Sequence, residues 1–192
     1  KTGSAHAIVA NAGCANACTG EVGLANAHKM AALAAEELGC KADDVLVGST
    51  GIIGVNLPMD KLAAGIKAAA AELSEDGSKN AGNAIITTDT YSKACSTEVE
   101  IGGKAVRFGA IAKGSGMIQP NMATMLCYIT TDANISSQLM QKALSEIVEV
   151  TFNMISVDGD MSTNDTVLVL ANGESGMAEI QADTPEYDKF CE

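Results

Sequence analysis

The sequence predicts an α/β fold, and three observations carry that expectation. Short β-branched runs alternate with Ala-rich segments of helical period, no linker-like stretch separates them, and 47% of the 192 residues are hydrophobic against 19% charged. A chain of this length and composition buries a sizeable core. We expect residues 1–192 to form a single α/β unit that is part of a longer protein. The chain starts at Lys1 without an initiator Met, and Thr184-Pro185, an N-cap followed by proline, opens a helix with only seven residues left.

Residues 5–11 are short, apolar and β-branched and read as a buried strand. Leu24, Ala27, Met30, Ala31, Leu33, Ala34 and Leu38 recur at helical spacing, so residues 22–38 read as a helix stopped by Gly39. Residues 44–49 read as a strand leading into a loop over 48–54. Pro58 opens an Ala-rich helix over 58–73, and 75–80 is a polar turn cluster. Residues 84–89 read as a strand. Residues 97–101 and 104–111 form a hairpin closed by Gly102-Gly103. Residues 113–123 fit neither period, and 124–131 reads as a strand. A helix over 136–155 carries Leu139, Ala143, Leu144, Ile147, Val150 and Met154 on one face, and a last strand covers 166–171 after a polar loop over 158–165.

Charge and composition exclude several functions. A formal net charge of -12, with only 12 Lys and Arg in total, argues against a nucleic-acid partner, since phosphate binding needs clustered basic residues. The apolar stretches are interrupted well before the roughly 20 residues a membrane span requires, so no membrane partner is expected. The six cysteines have irregular spacing and no C-x-x-C pair, which favours reduced thiols.

Most motif readings fail. The loop over 48–54 lacks the Gly-Lys-Ser/Thr ending of a phosphate-binding loop, and Gly114-Ser-Gly-Met-Ile-Gln119 lacks the third glycine of a dinucleotide fingerprint. Asp158-Gly-Asp-Met-Ser-Thr-Asn-Asp165 begins like a calcium loop, but its sixth position is Thr163 and its twelfth Val169, so a self-bonded polar turn is expected and no metal. His6 and His28 have no acidic or cysteine partner at ligand spacing and read as structural or solvent-facing.

The irregular segment remains. By itself Thr124 is a β-branched residue starting a strand. Its approach is unusual: glycines permit close backbone approach, Pro120 fixes a bend, and the small Ala123 leaves its carbonyl open to the Thr124 hydroxyl. An N-to-O acyl shift requires that arrangement.

Lys113-Gly-Ser-Gly-Met-Ile-Gln-Pro-Asn-Met-Ala-Thr124 resembles the self-cleavage motif of the ornithine acetyltransferase (glutamate N-acetyltransferase) family. Asn11-Ala-Gly-Cys-Ala-Asn-Ala-Cys-Thr-Gly20, Ser49-Thr-Gly-Ile-Ile-Gly54, Thr87-Thr-Asp-Thr90 and Val157-Asp-Gly-Asp-Met-Ser-Thr-Asn-Asp-Thr166 resemble family motifs in the same order. The resemblance implies stacked β-sheets flanked by helices, of the self-cleaving N-terminal-nucleophile acyltransferase type. It implies cleavage between Ala123 and Thr124, making 1–123 the end of an alpha chain and 124–192 the start of a beta chain. Thr124 would be the nucleophile, Thr50 and Gly51 the oxyanion hole, and Thr87, Lys113 and Thr124 the substrate contacts, with Thr88 a near rival of Thr87. The implied reaction moves acetyl from N2-acetylornithine to glutamate through acetyl-Thr124, in arginine biosynthesis, in the cytoplasm, without a cofactor or metal. Acetyl-CoA stays open as a second donor, and the implied assembly has two alpha and two beta chains. The family's Glu-Gly-Ala-Thr-Lys-like segment has no counterpart up to Glu192, so the implied site needs residues beyond those present.

Two other classes compete. An N-terminal-nucleophile aminopeptidase or amidase would use the same threonine and pass the acyl group to water. An inert assembly domain would stay uncleaved.

Overall fold

The computed structural model describes residues 3–118 and 125–192. Strand β1 (Ala7–Cys14) and β2 (Val45–Ile52) pair in parallel, joined by helix α1 (Gly20–Leu38). Helices α2 (Met59–Ala71) and α3 (Ser78–Ala84) lead to a four-stranded sheet of β3 (Lys93–Ile101), β4 (Lys104–Lys113), β5 (Leu126–Thr131) and β6 (Thr166–Ala171) in that order. The first three are antiparallel, and β6 runs parallel to β5 after the crossover helix α4 (Ser137–Val150). Helix α5 (Pro185–Cys191) follows.

Alternation along the strands builds the layers. In β1, Ala7 and Val9 face α1 and α2, packing with Met30, Ala34, Val45 and Ile66. Ile8 and Ala10 point the other way, onto Ile85, Leu126, Tyr128, Ile111 and Leu168. The two sheets are thus stacked face to face. On the far side of the larger sheet, Val106 and Phe108 pack with Ala143 of α4 and Tyr187 of α5. The architecture is helices, sheet, sheet, helices, as the resemblance implied.

Local chemistry accounts for the ends. Gly39, at φ 67, stops α1 and donates its N–H to Ala35 O. The Oγ atoms of Ser136 and Thr184 accept from Leu139 N and Tyr187 N and start α4 and α5. Gly102 and Gly103, at φ 58 and 74, make the two-residue hairpin turn.

Three sequence expectations are corrected. Residues 84–89 are not a strand: α3 occupies the start, buried Ile85 anchors the chain, and the N–H of Thr87 turns to the Asp89 carboxylate instead of a ladder partner. The loop over 48–54 is mostly strand, because Gly51 has no Cβ to strike the Gly13 backbone and lets the ladder run on to Cys14 and Ile52. Helix α4 ends at Val150, not 155. There the β-branched Thr151 leaves helical geometry at φ -130 and its hydroxyl donates to Ile147 O, and a single 3₁₀ turn (Phe152–Met154) follows.

The sheets approach closely at Gly48, where an added Cβ would overlap the Tyr128 hydroxyl. That buried hydroxyl has no hydrogen-bond partner among the described residues. Gly48→Ala should therefore destabilise the fold by about 1–3 kcal/mol, and Tyr128→Phe should recover part of that loss by making room. Urea unfolding of both single variants and the double variant measures this; an equal alanine cost in both backgrounds would show that the close approach is not its cause.

Candidate active site

Parallel strands offer ligand sites beyond their carboxyl ends, and β1 and β2 end together at Cys14 and Ile52. The period of two places Thr50 on the inter-sheet face of β2, with Gly48, and Lys113 on the inter-sheet face of β4, with Ile111. Both are almost fully buried, at 1% and 2% exposure. They meet: Lys113 Nζ donates to Thr50 Oγ1 at 3.3 Å. Gly51, next in β2, adopts φ +127 and lies so close to Gly13 that any side chain would strike the Gly13 carbonyl.

A carboxylate organises this corner. Asp89, its side chain fully buried, accepts from Lys93 Nζ at 2.6 Å, from Gly114 N at 2.7 Å and from Thr87 N at 3.4 Å, and lies 3.9 Å from Lys113 Nζ. Burial pushes its pKa up, but Lys93, these two N–H groups and Lys113 outweigh that and hold it below the usual carboxylate value. The Lys113 ammonium is pulled below the ordinary lysine value, first by burial and also by Lys93, with Asp89 and Asp165 opposing.

The polar loop over 158–165 closes the other side. The Asn164 amide donates to the carbonyls of Ala15 and Ser49, 3.2 Å in the second case, and so ties the loop to the ends of β1 and β2. A cavity of about 250 Å3 lies there, lined by Ala15, Ser49, Asn164 and Asp165 among others. A larger cavity of about 800 Å3 between α4 and β6 holds none of the predicted site residues.

The structure brings Thr50, Gly51 and Lys113 to one corner, with Thr87 joined to it through Asp89. Thr87 and Thr88 are both exposed. The Thr88 hydroxyl pairs with Ser115 Oγ at 3.3 Å, whereas that of Thr87 has no partner among the described residues. Ala123 and Thr124 lie outside the described residues. His6 and His28 are exposed, and no group of His, Cys, Asp or Glu among the described residues could hold a metal ion. Sequence reasoning missed Asp89 and Asn164 as organising residues. The signal for Asn164 was present, since it is an amide inside a polar loop without strand or helix period, whereas Asp89 was hidden at the end of a run that reads as a strand. The loop over 158–165 was expected to bond to itself. It does so through Asp160 N, Asn164 N and the Thr163 hydroxyl, and it also reaches outward, to residues 117, 118 and 125.

The profile described as ArgJ family matches residues 1–192, the whole chain. The chain belongs to the ArgJ family. It is 54% identical over its full length to the arginine biosynthesis bifunctional protein ArgJ of Symbiobacterium thermophilum and 53% identical to that of Lactococcus lactis, covering 48% of each. This ArgJ-family chain thus spans about half the length of the curated relatives it matches. The crystal structure of the arginine biosynthesis bifunctional protein argJ from Bacillus halodurans is 43% identical and superposes with TM-score 0.55 over 60% of this chain and 61% of that one. The ornithine acetyltransferase of Mycobacterium tuberculosis, complexed with ornithine, is 35% identical, with TM-score 0.50 over 59% and 61%.

Asp89→Asn should cost roughly 1–3 kcal/mol, because an amide leaves one donor facing the ammonium and N–H groups that the carboxylate satisfied. Asp89 titrates below its unfolded value. Its stabilising contribution is therefore present above about pH 4 and lost as the pH falls through the lower folded value. Urea unfolding of wild type and variant across that acid range should show the gap closing; a gap independent of pH would mean that the charge of Asp89 is not what stabilises the corner.

Proposed function

We propose that this chain is part of an N-acetyltransferase of arginine biosynthesis that moves acetyl from N2-acetylornithine to glutamate through Thr124. The observation that carries the reading is the buried Lys113 to Thr50 contact beside Gly51, at the strand ends of a chain belonging to the ArgJ family. A structural relative complexed with ornithine is consistent with an amino-acid substrate.

The protein would first cut itself. The Thr124 hydroxyl attacks the Ala123 carbonyl carbon, its proton passes to the amide nitrogen, and the C–N bond breaks to leave an ester. Water then hydrolyses the ester, giving the Ala123 carboxylate and a free Thr124 amine and hydroxyl. Chain 1–123 and the chain starting at Thr124 stay together because β4 of one and β5 of the other are hydrogen-bonded neighbours, from Phe108 with Thr131 to Lys113 with Leu126. We extend this to an assembly of two alpha and two beta chains.

In turnover, the new α-amine, with a pKa of about 7.7–8.0, serves as base for its own hydroxyl. Thr124 attacks the acetyl carbonyl and the oxyanion is held by Thr50 and Gly51. Thr50 Oγ1 accepts from the Lys113 ammonium, so its own O–H is free to donate, and such a donor is worth roughly 3–4 kcal/mol in the transition state. Thr87, exposed and with its hydroxyl unpaired among the described residues, is the better substrate contact than Thr88, whose hydroxyl is engaged. Lys113 would either steer a substrate carboxylate or help in cleavage. Acetyl-CoA as second donor would make the enzyme bifunctional, the word carried by the relatives' names. A biosynthetic role of this kind belongs in the cytoplasm. Among the described residues no helix is long and apolar enough to cross a membrane.

The full-length protein should purify as two associated chains, the second beginning Thr-Met-Leu-Cys by N-terminal sequencing. Thr124→Ala should stay whole and inactive, and Thr124→Ser should keep part of both functions. Incubation with N-acetylornithine alone should add roughly 42 Da to the chain beginning at Thr124, and glutamate should remove it as N-acetylglutamate. An unmodified threonine with full transfer would defeat the acyl-enzyme. Acetate released equally fast without glutamate would favour the amidase.

A further inference from the structure

We propose that Asp158 and Asp165 are positioning residues that brace the backbone on either side of residues 119–124, so that the bond before Thr124 is presented for cleavage. The inference rests on the self-cleavage reading above. It starts from where the acidic loop spends its hydrogen bonds. Asp158 uses both carboxylate oxygens on the residues just before the segment: Met117 N donates at 2.6 Å and Ile118 N at 2.8 Å. Val157 N adds a backbone bond to Ile118 O at 2.7 Å. Seven residues along the loop, Asp165 Oδ1 accepts from Met125 N at 2.7 Å, and Thr166 N donates to Met125 O at 2.9 Å. One short loop therefore holds the last residue before the segment and the first residue after it, each by N–H and by carbonyl.

The grip on the upstream side falls where it costs most to let go. Met117 adopts φ 54, a left-handed conformation unusual for a long side chain, and such strain persists only where surrounding bonds enforce it. The two N–H groups held by Asp158 also keep its carboxyl below the usual carboxylate value. On the downstream side, burial raises the Asp165 carboxyl, while Met125 N–H, Ser162 and Lys113 oppose that shift. Asp165 thus accepts from one flanking N–H, whereas Asp158 is a two-point clamp on two. Asn164 fastens the same loop to Ala15 and Ser49, beside Thr50 and Gly51, so the brace and the candidate oxyanion corner share one support.

The two roles give a pattern of variants that loop charge alone would not. Asp158→Asn keeps one acceptor but turns an amide donor toward an N–H, so cleavage in the full-length protein should slow about tenfold or more. Asp165→Asn keeps its acceptor and should cleave at close to the wild-type rate, whereas Asp165→Ala should slow like Asp158→Asn. Asp160→Asn removes the same charge from the loop without touching either flank and should leave cleavage unchanged. Cleavage is followed by denaturing electrophoresis and mass spectrometry of freshly translated protein. Thermal unfolding and transferase turnover of the already cut fraction of Asp158→Asn are measured beside it, and both should stay near wild type. If wild type itself is not cut before Thr124, the self-cleavage reading fails and the brace with it. If wild type is cut and Asp158→Asn cuts as fast, or Asp160→Asn slows equally, the brace alone is wrong. Loss of cleavage only in proportion to loss of thermal stability, or a cut Asp158→Asn protein that is equally slow in turnover, would likewise overturn it, assigning the loop a merely structural role.

Discussion

The corner at which the two sheets meet depends on one costly group, the Lys113 ammonium, buried to 2% exposure between β4 and β2. Removing an ammonium from water costs several kcal/mol unless it is paired and hydrogen-bonded. Three features of the fold follow from meeting that cost. Asp89 is buried alongside as counter-charge, which forces residues after α3 out of any strand and into a turn around its carboxylate. Thr50 takes an inward position on β2 that an apolar residue would otherwise fill. Gly114 begins the irregular stretch with its N–H committed to the same carboxylate.

The stacked sheets explain how so polar a corner survives beside an apolar layer. Ile8, Ala10, Leu126 and Tyr128 fill the inter-sheet space beside the corner, and Thr50 lies near the carboxyl end of β2. Gly13 and Gly51 let the two parallel backbones stay in register up to that edge. The strand ladder thus carries Thr50 and Gly51 as rigid elements rather than as a flexible loop, which suits donors that must be aimed before charge develops.

The periodic parts of the fold could be read from residues alone. The Ala-rich face of α1, the Gly39 stop and the Gly102-Gly103 hairpin are local signals, and each appears within a residue or two of its expected place. What failed was decided by tertiary pairing. Residues 84–89 look like a strand, but a buried carboxylate four residues before Lys93 captures the Thr87 N–H, and no window of sequence reveals that competition. Gly48 and Gly51 look like loop punctuation, yet they are strand residues whose missing Cβ atoms admit Tyr128 and Gly13 from elsewhere in the chain. Thr50, Gly51 and Lys113 were found through resemblance, whereas the residues that hold them, Asp89 and Asn164, were quoted in motifs without a role.

The hydrogen-bond polarity of the corner constrains any chemistry performed there. Lys113 has no acceptor capacity when charged, so its bond to Thr50 Oγ1 fixes the hydroxyl as acceptor toward the lysine and donor toward everything else. If Lys113 lost its proton, Thr50 could turn its O–H toward the amine and would no longer point a donor outward. Burial favours that loss, and Asp89 and Asp165 resist it. The buried Asp89 is therefore more than a stabilising partner: by helping to keep Lys113 charged, it leaves the Thr50 O–H free to donate elsewhere. Asp165 adds to this from the opposite side while holding Met125 N, which links the electrostatics of the corner to the backbone beside Thr124.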